Sequence, residues 1–290
     1  MSENRARLNL ITAFAVFGTV SIFVKYIDMP SSIISLVRGI IGSAFIFLYL
    51  LIVKKHVDYE GIKKNLLKLM INGILIGANW ILLFESYSST TVAIASLCYS
   101  FQPVLLTLFS PFFFKEKLTA KKVVCVLAAM LGMAFVSGVF NAGSVGSFKG
   151  IALALSSALF YTIVVIVNKS YKGIGSTEAM MCMLFFAGVI MIPYNFVTSA
   201  YTGLTPSAVS VVMLIILSLF HTGFAYVLYF TSMQFCKAQT IAILGYIDPI
   251  VSIILSVFLL REPFNLFIGI GALLIIGSMI VSELNLKKTN

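Results

Sequence analysis

The chain has 290 residues, of which 60% are apolar and only 10% charged, with a mean hydropathy of +1.06. Soluble domains carry about 25% charged residues, so this composition excludes a soluble globular protein and requires a membrane-embedded one. The net charge of +10 would suit a nucleic-acid binder, but its distribution along the chain, given below, argues for topology instead.

Ten apolar runs follow in order, at about 8–27, 31–53, 67–87, 90–114, 120–140, 149–169, 178–200, 207–230, 238–260 and 264–284. Each approaches the roughly 20 residues that cross a hydrocarbon core about 30 Å thick. Only helices and closed barrels satisfy their backbone inside a bilayer, and these runs are too long and too uniformly apolar for barrel strands. The fold class is therefore an all-α integral membrane protein of ten transmembrane helices. The first run has no small-residue cleavage site and reads as an uncleaved span.

An ionisable residue at mid-span costs at least about 2.5–3.5 kcal/mol on insertion scales, so each one needs a reason. The second run holds Arg38, which either snorkels or pairs with a carboxylate such as Asp28. The third reads Gly77-Ala78-Asn79-Trp80 and then Glu85, which lies towards the outer end. Tryptophan prefers the interface, so the chain's single Trp80, at mid-span, lines a cavity or a helix contact. The fourth run carries Tyr99 and then Gln102 immediately before Pro103; the sixth carries Tyr161. The eighth reads His221-Thr222-Gly223-Phe224-Ala225-Tyr226, and His221 either titrates or bridges two helices. In the ninth, Tyr246-Ile247-Asp248-Pro249 sets a carboxylate beside a proline expected to free a backbone carbonyl one turn back. Asp248 either binds a proton or a substrate ammonium group, or holds the kink. Gly132 in the fifth run and Gly269 and Gly271 in the tenth permit close helix approach, which assigns those two runs to scaffold or dimer contact.

The second half repeats the first at an offset of 146 residues, without a gap over 77–116 and 223–262. Gly77 meets Gly223, Phe84 meets Phe230, Pro103 meets Pro249 and Glu116 meets Glu262; Gln102 falls on Asp248. The repeat units are 1–143 and 144–290. Duplication in a membrane protein marks secondary transporters, whose substrate site lies between the repeats. With both termini inside, 16 of the 20 basic residues fall in cytoplasmic segments and three, Lys25, Lys149 and Arg261, outside, which is the positive-inside signal of a cytoplasmic membrane protein. Five spans per half is an odd number, so the second repeat enters from the opposite side and the repeats are inverted.

Cys98, Cys125, Cys182 and Cys236 lack paired spacing and read as small apolar residues. There is no glycine-rich phosphate loop, H-E-x-x-H or G-x-S-x-G. No cofactor, metal or catalytic residue is expected, and an intramembrane enzyme would need convergent groups drawn from Asp248, His221 and Glu85 on different helices.

Two half-repeats ending Pro103…Glu116-Lys117-Leu118 and Asp248-Pro249…Arg261-Glu262-Pro263 resemble the drug/metabolite transporter superfamily, specifically its ten-helix EamA-type members. The resemblance covers essentially the whole chain. It implies a central cavity lined by helices 1, 3, 4, 6, 8 and 9, export of amino acids or other small metabolites, and structural roles for Glu116 and Glu262 at helix ends. The expected function is alternating-access transport of a small-molecule substrate across the lipid bilayer by a monomer or homodimer. Asp248 or Glu85 would couple to protons, and Asn79, Trp80, Tyr99, Gln102, Tyr161, His221, Tyr226 and Tyr246 would line the cavity. A multidrug efflux carrier is the alternative.

Overall fold

The structure, a computed structural model, describes residues 1–54, 57–114, 119–136, 147–236, 240–241 and 244–283. The helices are α1 (Glu3–Lys25), α2 (Ser31–Ile52), α3 (Tyr59–Ser89), α4 (Val92–Tyr99), α5 (Gln102–Phe114), α6 (Ala120–Val136), α7 (Phe148–Asn168), α8 (Ser176–Val197), α9 (Ala208–Met233), α10 (Ile247–Phe258) and α11 (Leu266–Glu283). No strand occurs among the described residues. Because α4 and α5 are two halves of one span, the eleven helices make ten crossings, as two inverted repeats of five.

Short side chains just before these helices accept orphan N–H groups of the first turn. Asp58 accepts from Gly61 N–H at 2.8 Å, Thr91 from Ile94 at 3.2 Å, Ser147 from Gly150 at 3.1 Å and Ser207 from Ser210 at 3.1 Å.

The two mid-membrane prolines break their spans instead of kinking them. Pro103 is the second residue of α5, and Pro249 the third of α10. A proline in the first turn loses an N–H that would have no helical partner anyway. The carbonyl of Gly245, which a kinked helix would leave free, accepts the N–H of Asp248 at 3.3 Å. Asp248 therefore opens a helix instead of interrupting one. The third irregularity is a π-helical turn, Leu217–Phe224, inside α9. The Thr222 hydroxyl donates to the carbonyl of Leu217, five residues back, at 3.2 Å.

The packing is two-fold. α2 lies against α8, and α6 against α11; each of these is a pair of repeat-equivalent spans. α3 lies against α7 as α9 lies against α1, and α4 with α5 lies against α7 as α10 lies against α1. Each interface thus has its image under exchange of the repeats. Glycine sets the closest approaches. A Cβ at Gly39 would stand 2.5 Å from the backbone N of Gly188, where α2 crosses α8. A Cβ at Gly271 would stand 2.7 Å from the carbonyl oxygen of Gly132. The fifth and tenth spans thus pack on each other within one chain.

The ends of the bundle are tied by polar clasps. At the end given to the outside by the charge count, Glu262 Oε2 accepts the N–H of Val92 at 2.7 Å and the Ser256 hydroxyl at 2.6 Å, while Lys25 Nζ stands 3.3 Å from Oε1. One carboxylate caps α4 and anchors α1 and α10. At the other end the Asn72 amide donates to Asn168 Oδ1 and to the Tyr171 hydroxyl, each at 2.8 Å. Burial pushes the Tyr171 hydroxyl, which lies beyond the end of α7, up to about 12.

Candidate transport site between the repeats

Asp248 stands in the first turn of α10, where that helix packs on α1. Gly18 of α1 makes room: a Cβ there would lie 2.6 Å from the Asp248 carbonyl oxygen. Four tyrosine hydroxyls lie within electrostatic reach of the Asp248 carboxylate, namely Tyr87 of α3, Tyr99 of α4, Tyr161 of α7 and Tyr226 of α9. The Tyr99 and Tyr161 rings meet edge-on at 6.0 Å between centroids. Among the described residues the Asp248 carboxylate has no ion-pair partner. Asp248, Tyr99, Tyr161 and Tyr226 all keep partial exposure.

Arg38 of α2 faces the same cluster. Tyr87, Tyr99 and Tyr226 lie within its electrostatic reach as well. The side chain is 3% exposed; it neither snorkels nor pairs with Asp28. Its Nε–H donates to the Thr222 hydroxyl at 3.0 Å, and its guanidinium carbon lies 4.3 Å from the Trp80 ring centroid and 5.2 Å from that of Phe84. Asp28 is engaged elsewhere: its side chain accepts from Ser210 at 3.2 Å and Ser207 at 3.5 Å. The direction follows from helix rotation, since the face of α2 that holds Arg38 also holds Ser35 and Gly42, both buried against neighbouring helices.

Of the residues expected to line the cavity, Tyr99, Tyr161 and Tyr226 are half-buried within electrostatic reach of Asp248, and the ring of Trp80 lies under Arg38. Asn79 is wholly buried between helices. It is 0% exposed and its amide donates to the carbonyl and hydroxyl of Ser157, both at 2.8 Å, clasping α3 to α7. His221 is also withdrawn, at 1% exposure. Its Nε2 lies 2.8 Å from the Thr19 hydroxyl and its ring 4.5 Å from that of Phe23, so it bridges α9 to α1. Gln102 opens α5; its carbonyl accepts the Thr162 hydroxyl at 3.3 Å, and its buried Oε1 finds no partner among the described residues.

Two expected site residues lie apart. Tyr246 lines a narrow crevice with Pro103, Thr107, Cys125 and Ser278, facing α5, α6 and α11. Glu85 is exposed near the C-terminal end of α3, where it accepts the Ser31 hydroxyl at 2.7 Å. It borders a groove of about 300 Å³ shared with Ser32, Ile81, Tyr194 and Thr198. Glu116 lies outside the described residues; Glu262 has the helix-end role its motif implies.

Sequence reasoning passed over Tyr87, Thr222 and the inward aim of Arg38. It also passed over an aromatic run where Phe17 meets Tyr226 at 5.2 Å, Phe14 meets Tyr229 at 5.5 Å, and Tyr229 meets Phe230 at 4.9 Å. The available signal was the repeat itself, which aligns Trp80 with Tyr226 and Phe84 with Phe230.

A model of the EamA-like transporter family matches residues 5–138 and again 148–283. The chain is 27% identical over 280 residues to "Uncharacterized transporter YxxF" of Bacillus subtilis, covering 96% of this chain and 89% of that protein. It is 26% identical over 270 residues to an "Uncharacterized transporter" of Archaeoglobus fulgidus, covering 91% and 92%. A solved crystal structure superposes with a TM-score of 0.68 at 17% identity, over 97% of this chain and 98% of that one, which shows a shared fold. Two inverted five-helix repeats and a family match in each half lead to one conclusion: the chain belongs to the EamA-like transporter family and is a multi-pass membrane transporter.

Proposed function

We propose that this protein is a secondary transporter moving a small metabolite, an amino acid or a related compound, outward across the cytoplasmic membrane by alternating access. Both termini lie in the cytoplasm, and the units 1–143 and 144–290 move against each other about the Asp248 site. The observation that carries this reading is a mid-span carboxylate that has no ion-pair partner among the described residues and has tyrosines of four different helices within electrostatic reach. Intramembrane ionisable groups of this kind mark substrate and proton pathways. Asp248 takes a proton or the substrate's ammonium group, and the exchange between them couples flux to the proton gradient. Breaks at Gly245–Tyr246 and at Ser100–Phe101 fall in the equivalent span of each repeat, which supports a hinge in each, because a few residues between helix ends can absorb a backbone swing.

The test is counterflow in proteoliposomes with an imposed pH gradient. Asp248→Asn abolishes the dependence of flux on that gradient; proton dependence equal to the wild type sinks the coupling role. A second reading, multidrug efflux, draws on the aromatic run of Phe14, Phe17, Tyr226, Tyr229 and Phe230. A resistance screen in an efflux-deficient host separates the two.

A further inference from the structure

Arg38 is a buried guanidinium without an acidic partner. Its Nε–H is taken by a neutral hydroxyl, and among the described residues no carboxylate lies within ion-pairing distance of its terminal amino groups. The Trp80 and Phe84 faces offset part of the cost of burying it, as cations over aromatic rings do, but they leave the charge uncompensated. Asp248, across the shared tyrosines Tyr87, Tyr99 and Tyr226, is uncompensated in the opposite sense. The two charges do not pair with each other but share these three tyrosine neighbours.

We propose that Arg38 is the carboxylate receptor of the transport site, and that Arg38 and Asp248 together select a zwitterion, the carboxylate on Arg38 and the ammonium on Asp248. This deepens the reading of Asp248 as the transport site and rests on it. The forked guanidinium matches a carboxylate with two parallel N–H···O bonds. A zwitterion neutralises both protein charges at once, so the loaded site carries no net charge through the membrane. An amine or an anion leaves one buried charge unmet, and a neutral solute leaves both.

The receptor is held in place by the π-helical turn. Thr222 gives its proton to Leu217 and so presents a lone pair to Arg38 Nε. Gly42, one turn beyond Arg38, admits the threonine: a Cβ there would lie 2.6 Å from the Thr222 methyl carbon. Thr222 is thus a positioning residue that links the receptor on α2 to the irregular turn of α9. π-turns recur at functional sites in helices, and this one gives α9 a local geometry that can change when the carboxylate arrives.

The experiment is ligand-dependent thermal stabilisation of the purified full-length protein. The probes are the twenty L-amino acids, their methyl esters and their decarboxylated amines. At least one amino acid raises the melting temperature, and its ester and its amine, which lack the carboxylate, bind on the order of 10- to 100-fold more weakly. Arg38→Gln loses the response to the amino acid, and Arg38→Lys, which keeps the charge but not the fork, recovers part of it. Thr222→Val weakens binding of the amino acid while leaving that of the amine unchanged, a split that a purely structural role would not produce. An ester or amine that binds as tightly as its amino acid overturns the assignment of Arg38 and leaves Asp248 as a cation site. Equal binding by wild type and Arg38→Gln does the same. Stabilisation by none of the three series overturns Arg38 and the transport reading together.

Discussion

Glu262 is a single carboxylate with three partners from three helices, so its removal has a calculable cost. Glu262→Ala strips the cap from α4, where Val92 N–H donates at 2.7 Å, and removes the acceptor of the Ser256 hydroxyl at 2.6 Å. A lost cap costs about 1 kcal/mol, and a lost hydrogen bond to a charged group about 1.5–3 kcal/mol. The pair with Lys25 adds little, because the lysine side chain is 30% exposed and pairs of that kind contribute about 0–1 kcal/mol. The expected loss is roughly 3 kcal/mol, dominated by the two short bonds at Oε2. Glu262→Gln keeps an acceptor oxygen and loses about a third as much. Cys98, Cys125 and Cys182 are buried free thiols, so a thiol-reactive fluorophore reports unfolding in detergent directly. Lys25→Met should then differ from wild type by less than about 1 kcal/mol. If Glu262→Ala unfolds within experimental error of the wild type, or Lys25→Met is as damaging as Glu262→Ala, the account of the clasp is wrong.

Four further outcomes are expected. Gly39→Ala forces a methyl into a 2.5 Å gap against the backbone of Gly188 and costs about 1–3 kcal/mol, read as a lower unfolding temperature. Asn79→Leu leaves the Ser157 carbonyl short of a donor and lowers stability by about 1 kcal/mol, the scale of interhelical hydrogen bonds in membranes, while transport of the remaining folded fraction persists. In a cysteine-free background, a cysteine at Ser147 reacts with a membrane-impermeant reagent added outside intact cells and one at Lys172 does not; the reverse pattern refutes the orientation. The Tyr171 hydroxyl is raised to about 12 when folded against about 10 unfolded. Its contribution is therefore complete below pH 10 and lost as pH rises towards 12, and Tyr171→Phe removes that part of the alkaline decline.

Several features were legible without coordinates because they depend on properties that run along the chain. Ten spans follow from the length of apolar runs against bilayer thickness, and inversion follows from an odd span count and the lysine distribution. The repeat pointed to the fourth and ninth spans, where the chain does break. What it left open was the rotation of each helix about its own axis. Asn79 and His221 sit at mid-span like true lining residues, yet both face neighbouring helices and spend their polar atoms on Ser157 and Thr19.

Length, hydropathy and duplication thus determined by themselves that this is a ten-span transporter with an axis of inversion through its centre. Only the tertiary structure decided that Arg38 turns inward onto Thr222 and Trp80, that Asp248 opens a helix, and that Tyr87, Tyr99 and Tyr226 of three helices lie within electrostatic reach of both. The reason is physical: periodicity fixes which residues enter the membrane, but the partner of a buried charge is set by close packing between helices. That packing depends on where glycines 18, 39, 42 and 188 let backbones meet.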